Sequence, residues 1–129
     1  MEKKIIESAS APAAIGPYSQ AVTVDARSLT FLSGCIPLDP SSGELVGDGD
    51  VTEETHRVMR NMKEVLHEAN LDFENVVKTT IYLVDMNDFG PVNEVYAGYF
   101  QGEPPARVTV AVAGLPKGAR VEIDCIAAR

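Results

Sequence analysis

Arg107 and Glu122 are the two side chains of this sequence whose types and surroundings suit chemistry on a small anion. Arg107 follows Pro104, Pro105 and Ala106, and prolines with fixed φ stiffen the chain just ahead of the guanidinium. A planar fork of N–H donors grips a carboxylate bidentately, which a lysine ammonium does not reproduce. Glu122 has the right type for a general base or a water-positioning group, provided it stands within hydrogen-bond reach of the water it directs. Spacing alone favours a simpler use of the two charges, a surface ion pair worth ~0–1 kcal/mol or separate pairs across a subunit contact.

Other chemistry finds less support. Ser33 before Gly34 does not make a Gly-x-Ser-x-Gly elbow, and no glycine pattern is suited to nucleotide phosphates. His56 and His67 fall on the polar side of a predicted helix and read as solvated residues, not metal ligands. Met59 and Met62 read as packing residues. Cys35 and Cys125 have neither metal nor redox spacing and are expected to be small buried residues.

The elements that must position the charged pair are legible from periodicity. Short strands are expected near Ile5, at Ala21–Val24 and at Leu29–Ser33. Thr52 to Asn70 is helical in period, with Val58, Met62, Val65, Leu66 and Ala69 on one side and Arg57, Arg60, Glu64, His67 and Glu68 on the other. Asp50 or Thr52 can cap it, and Glu53 and Glu54 suit the positive end of the helix dipole. Val76–Val84 reads as a central strand. A second helix follows, capped by Asn87 or Asp88, with Phe89, Val92, Tyr96, Tyr99 and Phe100 on one stripe and Gly102 as its end.

Two last strands, Ala106–Val112 and Arg120–Ala127, carry the charged pair. Parity predicts that Val108, Val110 and Val112, and Val121, Ile123 and Cys125, face the helices. Arg107 and Thr109, and Arg120, Glu122 and Asp124, would then share the opposite face with Thr80, Tyr82 and Ile126. That face is too apolar to be fully wetted, so burial against further copies of the chain is expected.

The sequence has 129 residues, long enough for one core without staples, and a single domain over 1–129 is expected. With 45% apolar residues the composition is ordinary for a globular chain. Nineteen acidic against eleven basic side chains give a net charge of -8, which repels a phosphate backbone and argues against nucleic acid as a partner. No segment approaches the ~18 apolar residues of a membrane span and Met1–Ser10 lacks a signal-peptide core, so no membrane partner and a cytoplasmic location are expected.

Five blocks add a resemblance: Ala13–Ala21 (AAIGPYSQA), Ser33–Pro40 (SGCIPLDP), Val77–Phe89 (VKTTIYLVDMNDF), the Val92-Asn93 pair, and Pro105–Ala127 with PAR and LPKGARVEIDCIA. Their order and spacing, nearly end to end, resemble the RidA/YjgF family. The resemblance implies an α+β, chorismate-mutase-like fold with a mixed sheet of about six strands and two helices packed on one face. It also implies a homotrimer with pockets between subunits. The implied activity is hydrolysis of 2-imino acids and enamines (2-aminoacrylate, 2-iminopropanoate, 2-iminobutanoate) to 2-keto acids and ammonia, with no metal and no organic cofactor.

Carried over by motif, Arg107 and Glu122 are the catalytic pair. Arg107, Tyr18, Ser33, Gly34, Asn93 and Thr109 bind substrate, with Tyr18 closing over the ligand and Asn93 reaching in from the neighbouring subunit. Thr109 stands where the family often has cysteine, and Cys35 where it usually has glutamine. The alternative reading is a non-enzymatic keto-acid-binding regulatory protein. Endoribonuclease activity has also been attached to the family, and the acidic charge argues against it here.

Overall fold

The computed structural model describes residues 1–129. In chain order the main elements are β1 (Glu2–Ile6), β2 (Ala21–Asp25), β3 (Leu29–Cys35), α1 (Val51–Glu68), β4 (Val76–Leu83), α2 (Phe89–Ala97), β5 (Ala106–Ala111) and β6 (Val121–Ala128). The α+β class and the placing of both helices on one sheet face agree with the sequence reading. The six strands, however, divide into a mixed four-stranded sheet, ordered β3-β6-β4-β5, and a separate β1-β2 pair. Within the larger sheet β4 and β5 run parallel and the other neighbours antiparallel. Ser19 ties the β1-β2 arm to the entrance of β5: its N–H donates to the Pro105 carbonyl at 3.1 Å and its hydroxyl to the Pro104 carbonyl at 2.6 Å.

Helix α1 starts where expected because the Asp50 carboxylate accepts the Thr52 N–H at 2.9 Å, satisfying one of the free donors of the first turn. Val58, Met59, Met62 and Leu66 are fully buried against Ile81 and Leu83 of β4 and Val121, Ile123 and Cys125 of β6. Val65 lies at the border of this stripe and is half exposed. His67 is exposed as expected, whereas His56 is half-buried, its Nδ1 2.8 Å from the Tyr99 hydroxyl. Glu54 is buried; its carboxylate accepts the Arg120 N–H at 2.8 Å and so fixes α1 to the entrance of β6. Burial raises its pKa despite that bond. Gly47, at φ +112°, packs against the Glu54 side chain where a Cβ would overlap it.

Helix α2 ends at Gly98, not Gly102. The Tyr99 and Phe100 N–H groups make short i to i−3 bonds to Tyr96 and Ala97, and the two rings turn away to pack edge-on against Phe73. Asp88 makes no capping bond at its start; Asp85 instead caps the preceding 3-10 turn by accepting the Asn87 N–H. No helix is long and apolar enough to cross a membrane.

One prediction of parity is overturned, and it matters for the site. In β6, Val121, Ile123 and Cys125 face the helices as expected. In β5 the parity is reversed: Val108 and Val110 are 42% and 38% exposed on the outer face, and Arg107 and Thr109 point toward the helix layer. The parallel register decides this. Arg107 pairs with Thr79 and Thr109 with Ile81, both inward residues of β4, and neighbours in register share a face.

Candidate functional site

Arg107 lies half-buried among three aromatic rings, with its Cζ 5.2 Å from the centre of Tyr18, 5.2 Å from Tyr96 and 5.7 Å from Phe89. Its Nη1 donates to Asn93 Oδ1 at 2.7 Å. No carboxylate pairs with it: the chain's two ion pairs are His67–Asp72 and Arg120–Glu54. Burial lowers the guanidinium pKa, and the nearby Tyr96 and Tyr18 offset part of that; arginine stays charged at any physiological pH. The Asn93 oxygen accepts from Arg107, which leaves the Asn93 amide N–H groups and the remaining guanidinium donors without side-chain partners. Such donors, walled by aromatic rings, are complementary to a small carboxylate carrying a second acceptor.

The positions come from three elements. Phe89, Asn93 and Tyr96 recur on one stripe of α2 at i, i+4 and i+7. Arg107 comes from β5. Tyr18 comes from the turn before β2, where the Tyr18 N–H donates to the Gly16 carbonyl at 2.8 Å and Gly16 packs beside the ring.

Glu122 lies on the outer sheet face, level with Tyr82 of β4 and Val110 of β5. Gly34 of β3 sits directly against its carboxylate, so closely that a Cβ there would stand 2.7 Å from Glu122 Cδ. A β-bulge between Leu32 and Cys35 brings Ser33 and Gly34 to this place and leaves both exposed. Beside Glu122 the Tyr82 hydroxyl donates to Asp124 Oδ2 at 2.9 Å, a bond that raises the tyrosine pKa. Burial, with Glu122 and Asp124 nearby, pushes the Cys35 thiol up to about 11, so it stays protonated.

Gly34→Ala is therefore expected to displace the Glu122 carboxylate while leaving the fold nearly as stable. Were that carboxylate a reacting group, a shift of about 1 Å would cost up to ~10²-fold, and the loss would fall in kcat with the unfolding midpoint little changed. Steady-state kinetics beside a thermal melt checks this; unchanged kcat would remove Gly34 from the site.

A protein-family model described as Endoribonuclease L-PSP matches residues 8–129. The chain belongs to this family, the RidA/YjgF family. It is 59% identical to Protein DfrA of Myxococcus xanthus over 98% of this chain and 96% of that one. It is 58% identical to the mouse 2-iminobutanoate/2-iminopropanoate deaminase over 97% of this chain and 90% of the relative. The crystal structure of Escherichia coli TdcF with bound serine superposes with a TM-score of 0.74 at 40% identity, covering 98% of each chain.

In this RidA/YjgF chain the residues singled out from sequence fall into two groups. Arg107, Asn93, Tyr18 and Thr109 lie at the β5 and α2 side of the sheet, and Glu122, Ser33 and Gly34 lie on the outer face. Arg107 and Glu122 do not share a face, against the parity prediction, and form no ion pair with each other, so the simpler reading of the pair is also unmet within one chain. The resemblance implies that Asn93 reaches into the pocket from the neighbouring subunit; here it stands beside the arginine of its own chain, its Oδ1 accepting from Arg107. The Thr109 hydroxyl is buried without a partner on the same face as Arg107. Two open surface hollows, of about 940 and 910 Å3, include neither Arg107 nor Glu122.

Phe89 and Tyr96 belong to the site and escaped sequence reasoning, which counted them only as core. Their signal was present: Asn93 stands between them on an otherwise apolar stripe, a polar group that burial would strand unless something bonded it.

Proposed function

We propose that the chain is a cytoplasmic, single-domain 2-imino acid deaminase that works as a homotrimer, with each site assembled from two subunits. One chain supplies Arg107, Asn93, Tyr18 and Thr109, and its neighbour supplies Glu122, Ser33 and Gly34. The observation that carries the reading is a half-buried guanidinium, walled by aromatic rings and bonded to Asn93, with no carboxylate of its own. An outer sheet face bearing Phe31 at 69% exposure, Leu29 at 53%, and Val108 and Val110 supports burial against a second copy, which would bring Glu122 off that face and toward a neighbour's Arg107. The names of the relatives support the substrate class, and the serine in the E. coli structure is a small 2-amino acid with the same carboxylate.

In this reading Arg107 holds the substrate carboxylate and Asn93 donates to a second acceptor of the guest. The protonated imine carbon is already electrophilic. Glu122 orients a water and takes a proton from it as the C–O bond forms and the C=N π electrons move to nitrogen. It then returns that proton to the amine nitrogen; as the C–N bond breaks, the O–H electron pair of the carbinol forms the C=O bond, and the hydroxyl proton passes through Glu122 to the departing ammonia, leaving a 2-keto acid and ammonium. General-base assistance of this kind is worth about 10²–10⁴ in rate.

The test generates 2-aminoacrylate with a pyridoxal-phosphate dehydratase, adds the purified protein and follows loss of the imine. Accelerated loss is expected. Binding of 2-ketobutyrate by calorimetry with no acceleration would mean a metabolite sensor instead.

A further inference from the structure

Tyr96 is fully buried, yet its ring stands 5.2 Å from the Arg107 guanidinium and its hydroxyl lies 2.8 Å from Thr79 Oγ1. Thr79, itself fully buried, is the residue that pairs with Arg107 across β4 and β5. The two strand neighbours are thus linked a second time through a helix residue: Arg107 to the face of Tyr96, and Tyr96 by its hydroxyl to Thr79. The Phe100 ring also packs against that of Tyr96, with centroids 4.7 Å apart. Burial pushes the Tyr96 phenol up to about 12, so it stays neutral and adds no counter-charge. Its effect on the cation is that of a ring quadrupole and a rigid wall.

We infer that Tyr96 is a positioning residue for Arg107, holding the guanidinium plane ready for a substrate carboxylate, and that Thr79 fixes the ring that does so. The inference rests on the deaminase reading of Arg107. A buried tyrosine serving only as core filler would have no need to place its face under the site's one cation. Nor would it need to spend its hydroxyl on the residue paired with that cation. Of the three rings around Arg107, Tyr18 comes from a turn tied to the β1-β2 arm and Phe89 from the first residue of α2. Tyr96 is fully buried, with its hydroxyl held by Thr79 and its ring against Phe100, which makes it the reference against which the guanidinium is set.

The experiment compares Tyr96→Leu, Tyr96→Phe, Thr79→Val and the Tyr96→Phe/Thr79→Val double variant in the imine-loss assay, with 2-ketobutyrate calorimetry alongside. Loss of the ring in Tyr96→Leu should raise KM and the 2-ketobutyrate Kd about 10–30-fold while kcat changes less than about threefold. Tyr96→Phe and Thr79→Val should each raise KM only a few-fold. The double variant should match the single ones, because both remove one shared contact. Melting points that fall while KM and Kd stay at native values in the Phe, Val and double variants would leave Tyr96 a core residue and overturn the inference. An Arg107→Ala protein that still hydrolyses imine would instead defeat the deaminase reading beneath it.

Discussion

Arg107→Ala is expected to reduce kcat/KM for 2-iminopropanoate by roughly 30- to 5,000-fold, the range that corresponds to losing one partner of a desolvated, hydrogen-bonded charge pair. The loss should appear in binding as well as turnover, since in the proposed site the same guanidinium would grip the carboxylate of substrate and product. The fold should persist, because the side chain is half-buried and removing it strands no opposing charge: Arg107 has no carboxylate partner in its own chain. Arg107→Lys should recover little. An ammonium lacks the fork that bonds Asn93 Oδ1 and a carboxylate at once, and it stacks less well on the three rings. Native turnover by a properly folded Arg107→Ala protein would remove the residue from the reaction.

Glu122→Gln should lower kcat by about 10²–10⁴ with a much smaller change in KM, since the amide keeps the shape and loses the basicity. The outer-face setting makes this a clean comparison. Glu122 is only partly buried and bonded to no other side chain, and its nearest constraint is Gly34, which a glutamine of the same size also clears. Retention of 2-ketobutyrate binding by the variant would separate the two roles: Arg107 holds, Glu122 turns over. Unchanged kcat would take Glu122 out of the water-directing role.

Much of this arrangement was legible in the sequence, and its one serious error is informative. Helix α1 could be placed because its cap, acidic first turn and apolar stripe all agree, and β6 because its alternation is strict. β5 alternates just as strictly, and the usual rule that valines face the core would turn Val108 and Val110 inward. The rule fails because β5 is the edge strand beside α2, where the inward seat is built from Phe89, Asn93 and Tyr96 and suits a guanidinium better than an isopropyl group. The valines go outward to a face with Phe31, Tyr82 and Ile126, whose apolar character has its use only if another chain covers it. Periodicity reports which residues alternate; it does not say which side of an edge strand carries the functional groups.

The same reversal splits the motif residues. PAR and VEI are close in sequence, yet one places its charge on the helix side of the sheet and the other on the outer side. The Ser33-Gly34 pair goes with Glu122 because the β3 bulge puts glycine against that carboxylate, a contact that spacing cannot reveal. Division of the six strands into four and two was equally hidden, since β1 and β2 have normal strand patterns whichever edge they meet.

In the proposed site Arg107 and Glu122, on opposite faces of one sheet, cooperate only between chains, and mixed oligomers distinguish this from a site within one chain. Arg107→Ala and Glu122→Gln subunits, each strongly impaired alone, are unfolded together in equal amounts and reassembled. If each site takes its arginine from one subunit and its glutamate from the next, random mixing restores both to roughly a quarter of the sites, and about a quarter of native turnover should return. Activity that stays at the level of the separate variants, in mixed trimers verified by mass, would contradict the shared site.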